Sequence, residues 1–319
     1  MSGLVSSATP PPPSHTYRIC SRPPQESLSY CTTLAQPPCD APPLIENADL
    51  NAPTKIKTSH QQPLMEPQIN HLVEKTWSRY QSLPQNNRLL ISISGIPGSG
   101  KTTLAITVTQ RLNALHRASS PPSEAAAEPD IATFVPMDGY HYTRAHLSSM
   151  PDPELAHARR GAHWTFDAPA FLSLVQALRA PLTPAAPTIH APSFSHSTKD
   201  PVEDDIPIPP TSRVLIFEGN YLSLNREPWS TAAGLMDELW FVEVDFQVAR
   251  RRLVGRHVAA GIARDEEEAG RRADGNDLVN GEEIVRERLE VQEVVKSVED
   301  EGWAEPAGVG VGVDGGERT

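Results

Sequence analysis

An α/β fold, a mainly parallel sheet with helices on both faces, is predicted by three features of this 319-residue chain. Short apolar runs recur with helical stretches between them, the alternation expected of a parallel sheet wrapped by helices. Residues 95–102 read Gly-Ile-Pro-Gly-Ser-Gly-Lys-Thr, a complete G-x-x-x-x-G-K-[ST] loop. The loop stands between an apolar run and a helical repeat, the context in which this pattern means a phosphate cradle.

The first strand is Leu89-Leu90-Ile91-Ser92-Ile93-Ser94, short and apolar as a buried parallel strand should be. After the glycine loop, Leu104, Val108, Leu112 and Leu115 recur at helical spacing. A polar loop from Ser119 to Asp130 leads to a second strand, Ile131–Met137, which ends at Asp138. Helical segments are expected over 142–149 and 168–179. The stretch 181–210 is proline-rich and reads as a flexible insert, with a short strand-like piece near Thr188-Ile189-His190. Val214-Leu215-Ile216-Phe217 is the next buried strand and ends at Glu218-Gly219; 238–244 is another, with Asp245 placed to cap an Arg-rich helix from Phe246 to about Ala260. Helices near 265–272 and 281–292 follow, and Val294-Val295 begins a last strand. Asp274–Gly281 is polar, contains glycine and reads as a turn between helices.

Composition limits how much of the chain folds. Thirteen of the 32 prolines lie in residues 1–67, a stretch without apolar periodicity that reads as a disordered tail. Residues 304–319 are glycine-rich and read the same way, which leaves one domain over about 70–303, enough for a sizeable core. A net charge of −12 argues against a nucleic-acid groove. Cys20, Cys31 and Cys39 all lie in the tail, so the domain has neither a disulfide framework nor a thiolate metal site. No apolar run approaches a membrane span. The chain reads as cytoplasmic; Arg18, Arg22 and several serines hint at a mitochondrial leader, but the prolines would break its helix.

The glycine loop predicts the nucleotide site. Gly95, Gly98 and Gly100 let successive N–H groups turn toward an anion, and Ser99 and Thr103 complete the stretch at a helix N-terminus. Lys101 would reach the β- and γ-phosphates, and the Thr102 hydroxyl would ligate Mg²⁺. In open parallel sheets, ligands bind beyond the carboxyl ends of the strands. Asp138 and Glu218 stand at two such ends. One suits a general base on an acceptor hydroxyl and the other a Mg²⁺ contact, although either could simply cap a turn. Arg252 and Arg256, at i,i+4, share a helix face; they suit a transferring phosphoryl or a solvated basic face. Asp167, before Ala168-Pro169, reads as a helix N-cap. His141, His163 and His196 show no metal-ligand spacing.

From about 88 to 298, these residues in this order resemble the phosphoribulokinase/uridine kinase family of P-loop kinases. The resemblance rests on Gly95–Thr103, Met137-Asp138-Gly139-Tyr140-His141, Thr165-Phe166-Asp167, Ile216-Phe217-Glu218-Gly219-Asn220-Tyr221, Arg252-Leu253 and Arg256-His257. Residues 273–280 are more like a branch of uncharacterised nucleoside- or pantothenate-kinase-like proteins. The family implies a P-loop NTP hydrolase fold, and transfer of the ATP γ-phosphate to a hydroxyl of a nucleoside, sugar or vitamin-like acceptor. It also implies roles: Asp138 by the acceptor hydroxyl, Glu218 by Mg²⁺, Arg252 and Arg256 in a lid. Asp167, His141 and His196 become acceptor contacts. This chain departs from uridine kinases where Thr198-Lys199 replaces an arginine and Gly139-Tyr140-His141 replaces Ser-Phe-Tyr, so a pyrimidine-nucleoside pocket is not expected. The sequence thus predicts an ATP- and Mg²⁺-dependent small-molecule kinase. The competing reading is an ATP-binding or ATP-hydrolysing switch that acts through a partner and has no small-molecule acceptor.

Overall fold

The computed structural model describes residues 65–119, 121 and 128–298. The expected tails, and the three cysteines with them, lie outside these residues, except for 65–67. Those three open α1 (Met65–Gln81). This helix buries Met65, Ile69, Leu72, Val73 and Thr76 at helical spacing, so the domain starts before the residue 70 that composition suggested.

After α1 come β1 (Leu89–Gly95), α2 (Lys101–Ser119) and β2 (Ala132–Pro136), which runs into a 3-10 turn over Met137–Tyr140. Three helices follow: α3 (Arg144–Ser148), α4 (Pro153–Ala158) and α5 (Ala168–Arg179). A hairpin of β3 (Ile189–Ser195) and β4 (Asp200–Ile208) precedes β5 (Val214–Glu218), α6 (Trp229–Gly234) and β6 (Glu238–Glu243). The chain then forms α7 (Phe246–Ala259), α8 (Glu266–Arg272), α9 (Leu278–Arg286) and β7 (Glu293–Lys296).

Among the described residues the main sheet has the order β2-β5-β1-β6-β7, and every pairing is parallel. Strands β1 and β5 are buried at every position, as central strands covered on both faces must be. Alternation along β1 sorts the core into two layers. Leu89, Ile91 and Ile93 pack with Leu104, Val108 and Leu112 of α2 and with the buried face of α1. Leu90 faces the other way, with Leu215, Phe217 and Phe241, toward α5 and α6. Each fully buried leucine or valine contributes roughly 1.5–3 kcal/mol relative to exposure. Leu115, expected to continue the α2 stripe, is instead exposed.

The α1 layer is fixed by more than apolar packing. Glu238, buried at the start of β6, receives Lys75 at 2.9 Å, Arg79 at 2.5 Å and the Trp240 indole N–H at 2.6 Å. Burial works to raise its pKa, but the bonds from Trp240, Lys75 and Arg79 hold it below the usual carboxylate value. A buried acid is tolerated when its oxygens are satisfied in this way.

Three local readings are corrected. The stretch 181–210 is not a flexible insert with one strand-like piece; residues 189–208 form a two-stranded antiparallel hairpin. Its prolines at 192, 201 and 207 are compatible with pairing because each strand has one outer edge that requires no donor. The expected turn at 274–281 is helical: a π-helical widening over Ala273–Asp277 joins α8 to α9 without a break. Helix α9 therefore starts earlier than expected and stops at Arg286. No helix among the described residues is long and apolar enough to cross a membrane.

Leu72→Ala should destabilise the domain by about 2–5 kcal/mol, the cost of deleting a fully buried leucine. Denaturant unfolding would show this as a lower midpoint at unchanged slope; a loss below about 0.5 kcal/mol would mean that α1 is peripheral.

Candidate active site

Parallel register brings the site together at one edge of the sheet. Ile93 of β1 and Pro136 of β2 both pair with Glu218, the last residue of β5. Beyond that common level, β1 enters the glycine loop and β2 enters the turn that carries Asp138. The loop needs its glycines: Gly98 and Gly100 have φ of 78° and 87°, a region that side chains other than glycine rarely adopt. The amides of Lys101, Thr102 and Thr103 precede the first helical bond of α2, from Leu104 N–H to the Gly100 carbonyl. Such amides at a helix start have no partner within the helix and suit an anion. Ser99 contributes less than expected: its side chain is fully buried, and its N–H bonds the Ile96 carbonyl at 3.2 Å.

Lys101 Nζ lies 3.6 Å from Glu218 Oε1, both side chains being about nine-tenths buried. Burial pushes the Glu218 carboxyl up to about 7; the nearby Asp138 charge adds to this, whereas Lys101 and the Thr102 hydroxyl oppose it. The two acids thus sense each other across one crevice. Asp138 itself is half-exposed, with a side-chain exposure of 52%.

The turn bearing Asp138 is pressed against the hairpin. A Cβ on Gly139 would sit 2.1 Å from the Pro192 carbonyl oxygen, so only glycine allows this approach. His141 follows, its Nδ1 at 2.9 Å from the Asp138 carbonyl. Its ring lies 4.0 Å from Phe166 and 5.0 Å from Phe194, centroid to centroid. Burial lowers the His141 pKa, against the opposing pull of Asp138, so the ring is neutral near pH 7. His196, exposed beyond the end of β3, packs edge-on to Phe194 at 5.5 Å. Asp167 is brought beside this group by backbone pairing, its N–H on the Tyr140 carbonyl at 2.7 Å. It also caps α5, accepting the Ala170 N–H at 2.9 Å, so the N-cap reading is correct and one oxygen is engaged.

The arginines divide. Arg252 is half-buried, and its guanidinium donates to the Gly98 carbonyl at 3.2 Å, Ser297 Oγ at 2.8 Å and the Val298 carbonyl at 3.2 Å. It ties α7 to the glycine loop instead of sharing an open basic face. Arg256, one turn on, is exposed, and its charge acts on a buried His257–Asp277 pair. Phe166, Phe194 and Arg160 flank the His141 side; Phe166 belonged to a motif the sequence offered, whereas Phe194 and Arg160 were not singled out. The pattern Phe194-Ser195-His196 within an alternating strand was the available signal.

Comparison with known proteins places the chain in a family. No family model matches the sequence. An ATP-dependent kinase-like protein of Aspergillus versicolor, notR', is 59% identical over 159 residues, which are 50% of this chain and 92% of that protein. A Schizosaccharomyces pombe protein provisionally named a uridine kinase is 43% identical over 198 residues, covering 62% of this chain and 78% of its own length. The chain belongs to the uridine kinase-like family of P-loop kinases. A crystal structure from Silicibacter sp. TM1040, provisionally a fructose transport system kinase, superimposes with a TM-score of 0.58 at 30% identity, over 71% of this chain and 98% of that one. The P-loop fold expected from the sequence is therefore the fold of this kinase.

Gly139→Ala should cost about 1–3 kcal/mol, because the added methyl meets backbone that must move. Gly234→Ala, where a Cβ meets nothing within 4 Å, should be neutral or slightly stabilising. Thermal unfolding of the two variants side by side checks this; equal melting temperatures would contradict the close approach of turn and hairpin.

Proposed function

We propose that this kinase transfers the γ-phosphoryl group of ATP to a hydroxyl of a small molecule, a nucleoside, sugar or vitamin-like compound, bound on the open side of the Asp138 turn, next to the β3–β4 hairpin that packs on it. The observation that carries the reading is the pairing of two acids in different environments beside Lys101. Buried Glu218 faces Lys101 and the Thr102 hydroxyl, whereas Asp138 is open to an incoming group. Pairs of acids in unlike environments take unlike roles.

The free amides of Lys101, Thr102 and Thr103 hold phosphate oxygens, and the Lys101 ammonium neutralises charge on the β- and γ-phosphates. Asp138 accepts the proton of the acceptor hydroxyl, whose oxygen then bonds to the γ-phosphorus. The bond from that phosphorus to the bridging oxygen breaks, and ADP leaves with the electron pair. Thr102 and Glu218 are the residues that would hold Mg²⁺, two hard oxygen donors that leave room for phosphate oxygens and water. The metal would neutralise developing charge on the phosphates. His141, Asp167 and His196 line the acceptor side, and the neutral His141 ring offers a hydrogen-bonding nitrogen without positive charge. Arg256, exposed on α7, and Arg252, if it exchanges the Gly98 carbonyl for phosphate, complete the charge around the transferring group.

Asp138→Asn should slow phosphoryl transfer by roughly 10²–10⁴ with ATP affinity little changed, read by a coupled ADP assay across nucleosides, sugars, polyols and vitamins beside a nucleotide-binding titration. Turnover that ignores every acceptor and survives Asp138→Asn would replace this reading with a nucleotide switch.

The pH dependence has a defined sign. Glu218 must be ionised to hold a cation, and its carboxyl sits at about 7. The Mg²⁺ concentration for half-maximal rate should therefore rise as pH falls through 7, by about tenfold per unit well below the pKa. Glu218→Gln should need more metal above pH 7, approach the wild type as pH falls below 7, and lose this dependence. An equal pH dependence in the two proteins would remove Glu218 from the metal site.

A further inference from the structure

The helical segment from Asp274 to Gly281 has no part in the chemistry above, yet its side chains leave it in three directions. Toward α7, Asp274 accepts the Arg250 guanidinium at 2.7 and 2.8 Å, and Asp277 Oδ2 lies 3.6 Å from His257 Nε2. Helix α7 is the one that sends Arg252 to the Gly98 carbonyl. Toward the glycine loop, Gly281 at the end of the segment packs so closely that a Cβ there would lie 3.3 Å from Ile96 Cβ.

The third direction leads to the acceptor side. Asn276 Nδ2 donates to the Arg160 carbonyl at 3.1 Å, and Asn280 Oδ1 accepts from Arg159 Nη2 at 2.7 Å. Both asparagines are more than nine-tenths buried. The loop they grip holds the acceptor wall. Arg160 donates to the Tyr142 carbonyl at 2.9 Å, the Lys199 carbonyl at 2.6 Å and Asp200 Oδ1 at 3.0 Å. It thereby joins the residue after His141 to the base of the hairpin turn. One short segment is thus packed on the nucleotide loop and bonded to the α7 helix and the acceptor wall.

The segment is also irregular: a π-helical turn covers Ala273–Asp277, and such turns recur at functional sites.

We infer that Asn276, Asp277 and Asn280 are positioning residues that couple the nucleotide loop and α7 to the acceptor wall, so that filling one side orders the other. The identification of that wall as the acceptor side rests on the proposed function, but the coupling itself can be read with nucleotide alone. Hydrogen exchange is followed in the whole chain with and without the non-hydrolysable analogue AMPPNP and magnesium. In the wild type, AMPPNP should slow exchange in the glycine loop and also, by at least about fivefold, at residues 158–163, the lower end of usual coupling strengths. Asn280→Ala should keep the glycine-loop slowing and AMPPNP affinity, but slow 158–163 by less than about twofold. Asn280→Asp, which retains an oxygen for Arg159, should recover most of the effect. Should Asn280→Ala not fold, Arg159→Met removes the same bond from the other side and carries the same expectation. Wild-type-like slowing at 158–163 in a folded variant lacking the bond, or no slowing there in the wild type, overturns the coupling. An acceptor screen without hits would instead count against the proposed function and leave this result readable.

Discussion

The site depends on keeping a carboxylate, Glu218, at the end of a fully buried strand. Burial alone would neutralise it, and a buried charge without a partner costs several kcal/mol. Lys101 at 3.6 Å and the Thr102 hydroxyl offset part of that cost, leaving the group poised near neutrality. The arrangement requires that β5 lie between β1 and β2, since only then does Glu218 face the start of α2 on one side and the Asp138 turn on the other. A slip of one residue in β5 would turn Glu218 into one core layer and Phe217 into the crevice.

The remaining architecture protects that placement. Two apolar layers fix the register of the sheet, and the satisfied Glu238 cluster pins α1 across β6. Arg252 ties the glycine loop to α7 and to the residues after β7, so the phosphate side is braced from below before any ligand arrives. The hairpin closes over the Asp138 turn, where Gly139 lets backbone meet backbone. In the proposed function, preset amides hold the phosphates and the acceptor side is left to a half-exposed acid and aromatic walls. Family membership supplies ATP-dependent phosphotransfer; in the proposed function, those walls select the acceptor.

Legibility in the sequence followed the range of the interactions. The glycine loop is local, so its residues and their flanking strand and helix could be read directly. Asp138 and Glu218 were legible because each follows an apolar run, and parallel strands deliver their ends to one edge. The Asp245 cap and the Asp167 cap were likewise short-range. The bond from Arg252 to Gly98 spans 154 positions, and helix spacing alone suggested an open basic face. The hairpin was hidden by prolines at 192, 201 and 207, which a two-stranded ribbon accepts on its outer edges. Helix α1 was masked by its proline-rich neighbourhood, although Ile69, Leu72, Val73 and Thr76 are spaced as a buried helix face. The Asp-Gly-Asn run at 274–276 has turn composition, but tertiary bonds to Arg250 and Arg160 hold it helical.

The titration of the Glu218 carboxyl tests the central claim most directly, followed by carbon-13 NMR of glutamate-labelled protein with Glu218→Gln for assignment. In the free protein the resonance should titrate near 7, well above an ordinary glutamate. With AMPPNP and magnesium bound, a cation beside the carboxylate should move the transition down by more than about two units, of the size that close opposite charges produce. A Glu218 that titrates near the ordinary value in both states would contradict the account, because the acid would then be neither buried against Lys101 nor part of the nucleotide site.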